Sequence, residues 1–183
     1  MRPHPVHPRA APRRLSSIAL VGLAAAALAG CGGSGGSASG VCGRAVAEPE
    51  DPASSIHVID PASARFRTDP PTSGPHLAAP GPRGVVTEPL LPAVQVVVLE
   101  RGDVLVQYRD PAERGAAEAL ADDHVVVAPN PTLPAPVVAT AWLWKLSCTS
   151  VDAPAIGTFA AQRVGKAPGT PPATTAPATT PRS

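Results

Sequence analysis

The sequence predicts an α+β domain: a small mixed β-sheet containing a β-hairpin, covered by two helices and preceded by a long proline-rich loop. Three observations predict it. Two β-rich runs, Ala93–Leu99 and Asp103–Arg109, flank the Gly-containing triplet Glu100-Arg101-Gly102. A helix-start pattern follows at Asp110, and strand-like and helix-like periodicities then succeed one another as far as Val164.

Prolines recur through Glu48–Leu91, and a residue before proline is pushed out of helical conformations, so this stretch is expected to wrap the sheet as extended loop. The two β-rich runs around Gly102 have the form of a hairpin with a short loop. Asp110-Pro111-Ala112-Glu113 then offers an N-cap carboxylate, a proline at the first helical position and a glutamate placed for a capping box. That pattern predicts a short helix to about Asp122, mostly alanine on its apolar face, with Leu120 its one large residue. Strands are expected at His124–Ala128 and Val137–Leu146, the second placing Trp142, Trp144 and Leu146 on one face by alternation. A last helix over Asp152–Val164 presents Ile156, Phe159, Ala160 and Val164 at helical spacing and covers the sheet.

The flanks have a different character. Arg2, Arg9, Arg13 and Arg14 precede the 15-residue apolar run Leu15–Ala29, the order of a secretory signal, and the run falls short of the roughly 20 residues of a membrane-spanning helix. It ends in Leu28-Ala29-Gly30-Cys31, which resembles the bacterial lipobox; that resemblance implies cleavage between Gly30 and Cys31 and a lipid, palmitate included, on Cys31. Residues 1–30 are thus read as a lipoprotein signal peptide and 31–40, nearly all Gly and Ser, as a flexible tether. Residues 41–165 are one globular domain. Residues 166–183, rich in Ala, Pro and Thr, are a disordered tail that buries too little surface to offset its ordering entropy.

Only Phe66, Phe159, Tyr108, Trp142 and Trp144 are aromatic, so the core must be built from Val, Leu, Ile and Ala. Small side chains bury less area each, which makes a covalent staple useful. With Cys31 lipidated, Cys42 and Cys148 remain, and outside the cytoplasm such a pair oxidises. The disulfide would close a loop of about a hundred residues, worth about 4 to 5 kcal/mol in the chain-entropy model. There is no Cys-x-x-Cys and no further thiol, so the pair reads as structural. Removing residues 1–30 takes away four arginines and no acid, leaving 11 basic against 14 acidic residues, a net charge of −3. That balance disfavours a nucleic-acid partner.

The most distinctive stretch is Pro70-Pro71-Thr72-Ser73-Gly74-Pro75-His76. It resembles the signature of a bacterial exported family, the domain of unknown function 3105 family. A Ser-x-His-Val element at Ser55–Val58, Leu99-Glu100-Arg101-Gly102 leading to Tyr108-Arg109, and an Ala-Trp strand over Ala141–Cys148 follow the same order. The resemblance implies a compact exported α+β domain and brings no established activity. One departure bears on chemistry: the family pattern reads His-x-Leu-Glu-His-Gly where this chain has Val97-Val98-Leu99-Glu100-Arg101-Gly102. Only His57, His76 and Glu100 are then left to gather around a metal, and Arg101 would put a positive charge where a cation should sit.

Three functions are open to such a chain. The first is a cell-envelope lipoprotein, a non-enzymatic binding or interaction domain held through the lipid of Cys31 at the extracytoplasmic face of the cell membrane. The alternative is a copper- or zinc-binding protein using His57 and His76, with His124 as a further donor if the fold brings it near. This metal is the one cofactor the sequence hints at. The third, a hydrolase pairing Ser73 with His76, needs a nucleophile, base and orienting group in contact. With no Gly-x-Ser-x-Gly elbow and no phosphate loop, no catalytic residue is assigned.

Overall fold

In the computed structural model of the protein, residues 40–170 are described. The expectations for the signal peptide, for Cys31 and the tether as far as residue 39, and for the tail beyond residue 170 fall outside them. Among the described residues no helix is long and apolar enough to cross a membrane.

The sheet has five strands: β1 (Val46–Ala47), β4 (Val104–Tyr108), β5 (Val125–Pro129), β6 (Val137–Ala141) and β7 (Trp144–Cys148), in the order β1-β7-β6-β4-β5. Only β4 and β5 run parallel; the other neighbours are antiparallel, so the sheet is mixed as expected. Two further strands, β2 (His57–Val58) and β3 (His76–Leu77), form a separate parallel pair. Among the described residues there are three α-helices: α1 (Pro92–Glu100), α2 (Arg114–Glu118) and α3 (Ala153–Arg163).

Strand β4 is buried along its whole length because both faces of the sheet are covered. Its residues alternate between two apolar clusters. Val104, Val106 and Tyr108 pack with Ile156, Phe159 and Ala160 of α3 and Ala117 of α2. Leu105 points the other way, into Val96, Val98 and Leu99 of α1. Fully burying residues of this kind is worth about 1.5 to 3 kcal/mol each, and the two clusters fix which face of the sheet each helix covers. Cys42 and Cys148 form the expected disulfide across 106 positions, with both residues buried in the first cluster.

The main correction concerns Ala93–Leu99, which is not a strand. It forms α1, with Pro92 in the first turn and Leu91 as an extended N-cap. Glu100-Arg101-Gly102 is the helix terminus rather than a hairpin turn. Gly102, at φ 92°, donates to the Leu99 carbonyl at 3.0 Å, and Asp103 N–H reaches the Val98 carbonyl at 3.2 Å, the paired bonds of a Schellman ending. Strand propensity misleads here because every residue from Gln95 to Leu99 is buried. A helix buried on all sides has no polar stripe to reveal its period.

A second correction restores a hairpin elsewhere. Val137–Leu146 is not one strand, for the chain reverses at Trp142-Leu143 between β6 and β7, with Leu143 at φ 59°. Leu143 N–H donates to the Thr72 carbonyl at 3.0 Å, and its own carbonyl accepts from Glu48 N–H at 2.9 Å. The reversal separates the two tryptophans: Trp142 packs with Leu105 and α1, whereas Trp144 and Leu146 join the opposite cluster.

The helix expected after Asp110 is shorter, a single 3-10 turn at Pro111–Glu113 followed by α2. Asp110 caps Ala112 N–H at 2.8 Å, but Glu113 does not close the capping box, because its carboxylate accepts from Val151 N–H at 2.8 Å. Helix α3 matches its expected span, capped by Asp152 through Ala155 N–H at 3.0 Å. Backbone contacts continue past it, Gly165 N–H donating to Gly102 O and Gly169 N–H to Glu100 O.

Candidate metal centre

Every residue of the signature from Pro70 to His76 is buried, and the surrounding bonds explain why it is a fixed piece of structure. Thr72 Oγ1 donates to Glu48 Oε2 at 3.0 Å, and Glu48 Oε1 pairs with Lys145 of β7 at 2.9 Å. Ser73 Oγ accepts from Asp51 N–H at 2.8 Å. Asp51, itself 5 % exposed, also accepts from Ala53 and Arg67 N–H groups. Gly74 takes φ 132°, and a Cβ there would lie 2.9 Å from the Phe66 ring, so only glycine fits. The signature thus delivers His76 to the start of β3 with its backbone fixed.

His76 is 1 % exposed. Its Nδ1 lies 3.0 Å from the Gly74 carbonyl; a carbonyl only accepts, so Nδ1 carries the proton and Nε2 presents a lone pair when the ring is neutral. Opposite it in register on β2 stands His57, the two rings 4.8 Å apart between centroids and 82° between planes. The third member comes from α1, which packs on β3 and ends at Glu100. Glu100 Oε2 approaches His76 Nε2 to 2.8 Å, a contact without the alignment of a hydrogen bond.

His57, His76 and Glu100 therefore offer three ligand atoms within 4.8 Å of one another, one residue exposed, one buried and one half-buried. Tetrahedral coordination at about 2.0 to 2.2 Å from the metal sets ligand atoms about 3.3 to 3.6 Å apart. The His76–Glu100 pair, at 2.8 Å, must open by about half an ångström to reach that separation, and any contraction falls to His57, whose exposed ring has room to turn. Asp103 and two carbonyls hold the Arg101 guanidinium: Nε and Nη2 reach Asp103 Oδ2 at 2.6 Å, Nη1 the Gly81 oxygen at 3.1 Å and Nη2 the Pro82 oxygen at 2.8 Å. The Arg101 charge is thus paired with Asp103.

Two further candidates take other roles in the folded chain. His124 does not join His57 and His76; its Nδ1 pairs with Asp103 Oδ1 at 3.0 Å. Ser73 and His76 are close in sequence, but the serine hydroxyl is engaged by Asp51 and both ring nitrogens of His76 face other groups. The cluster around Asp103, only 3 % exposed, is not legible in the sequence. Its members Arg83, Arg101 and His124 are scattered along the chain and carry no motif.

A model of the family described as protein of unknown function (DUF3105) matches residues 57–179. Its match spans His57, the signature and Glu100. No curated protein and no solved structure matches the chain.

Proposed function

This chain belongs to the DUF3105 family of proteins of unknown function, and we propose that it binds a divalent metal, copper or zinc, through His57, His76 and Glu100. One observation carries the reading. The buried His76 has a ring nitrogen without an aligned hydrogen-bond partner, and a second imidazole and a carboxylate converge on it. With Nδ1 carrying the proton of a neutral ring, the Nε2 lone pair and the Glu100 carboxylate face each other at 2.8 Å, an arrangement that a proton or a cation between them stabilises. Two imidazoles and one carboxylate suit copper and zinc, and three protein ligands leave a coordination position open. On this reading the domain is a metal-binding module. It acts from the extracytoplasmic face of the cell membrane, anchored by lipid on Cys31 after cleavage at Gly30. The Leu28-Ala29-Gly30-Cys31 motif supports that address, and the Cys42–Cys148 disulfide suits an oxidising compartment.

Equilibrium titration of the metal-free full-length chain with zinc and with copper(II) tests the reading. One ion per chain is expected, with affinity lowered at least a hundredfold, roughly 2.7 kcal/mol, in His76→Ala. Binding of neither metal, or binding unchanged in both His57→Ala and His76→Ala, would sink it.

A further inference from the structure

We propose a second binding site, a pocket for a small molecule carrying one carboxylate or phosphate group, walled by Arg83, Arg101 and His124. It stands on residues separate from the metal ligands and does not depend on the metal reading. A cavity of about 540 Å³ lies between the end of α1, the start of β5 and the chain leaving α3, within the range of small-molecule sites. Its lining joins these basic side chains to Asp103, Val164, Thr170 and three glycines.

Charge selects the ligand. Asp103 is the only acid among the described lining residues, and its carboxylate is already engaged. Oδ2 accepts from Arg101 Nε and Nη2 at 2.6 Å, and Oδ1 faces His124 Nδ1 at 3.0 Å. Arg83 stands 3.7 Å from the same carboxylate, beyond hydrogen-bond reach. The buried acid therefore fixes the wall without neutralising it. Nearby Asp122 is turned onto its own backbone, Oδ1 accepting from His124 and Val125 N–H groups at 2.7 Å.

Unused donors face an incoming anion. Arg83 is 60 % exposed and makes one hydrogen bond, Nη1 to the Asp123 carbonyl at 3.0 Å, which leaves most of its fork for a carboxylate or phosphate. His124 lines the pocket with Nδ1 turned to Asp103, which leaves its Nε2 for the ligand. Val164 and the glycine backbone offer the ligand's remainder an uncharged surface. Gly169 and Thr170 line the pocket, so the site needs the chain beyond α3.

The test uses the isotope-labelled full-length chain, stripped of metal, titrated with inorganic phosphate and separately with butyrate at constant ionic strength. Backbone amide shifts of Gly102, His124 and Gly165 are followed. Saturable shifts at these amides with at least one anion are expected, the stronger arm identifying the anionic group. Arg83→Ala and His124→Ala, both at exposed positions, should each weaken binding roughly tenfold or more with the spectrum elsewhere unchanged. Absence of saturable shifts with both anions, or wild-type affinity in both variants, would overturn the proposal.

Discussion

His57 and His76 stand opposite one another on a parallel pair of two-residue strands, their ring planes 82° apart. The chain between them, including the signature from Pro70 to Pro75, brings one ring, buried, beside the other, exposed. The nearby Glu100 closes the cluster from α1, at 2.8 Å from His76.

Glu100→Gln should weaken zinc binding at least roughly tenfold while leaving the melting temperature close to that of the parent, because it removes the carboxylate's charge and keeps its shape. Titration together with a thermal melt checks both halves. Equal zinc affinity would remove Glu100 from the ligand set.

Gly74→Ala tests the support rather than the ligands. The φ of 132° and the 2.9 Å approach of a new Cβ to Phe66 should cost about 1 to 3 kcal/mol in stability, measured by denaturant unfolding. Zinc affinity should fall with it, since Gly74 also supplies the carbonyl that holds His76 Nδ1.

Leu99→Ala removes a fully buried side chain where α1 meets β4. Loss of about 2 to 5 kcal/mol is expected, with the unfolding midpoint as the readout. A loss below about 1 kcal/mol would contradict the packing of α1 on the sheet.

Cys148→Ser should cost about 2 to 5 kcal/mol by opening the loop that the disulfide closes. The same loss should follow reduction of the parent protein. If reduction leaves the unfolding midpoint unchanged, the bridge is not a stabilising staple.

Cys31→Ser should abolish incorporation of labelled palmitate and release the protein from the membrane fraction. Fractionation of expressing bacteria reads both. Retention of the serine variant on membranes would contradict the lipid anchor.

Much of this architecture is readable in the residues, for reasons that differ by element. Helix α3 announces itself through Asp152, Pro154 and the spaced Ile156, Phe159 and Ala160, because one face meets the sheet and the other meets solvent. Helix α1 has no such contrast, and its valines read as strand. The β6–β7 hairpin is hidden because its turn carries Trp142-Leu143 instead of glycine or asparagine. The left-handed Leu143 is held by Thr72 and Glu48, far away in sequence. His57 and His76 are legible as donors from residue type and the signature. Glu100 becomes a firm member only once α1 is a helix ending beside β3. Asp103 and its cationic partners cannot be foreseen, since four separated side chains meet only in the folded chain.

The most direct test of the metal reading is a crystal structure of the zinc-loaded protein with anomalous data collected across the zinc edge. One anomalous peak is expected within about 2.2 Å of His76 Nε2, a His57 ring nitrogen and a Glu100 oxygen. A zinc-loaded crystal with no peak there, or with its peak at other side chains, would contradict it.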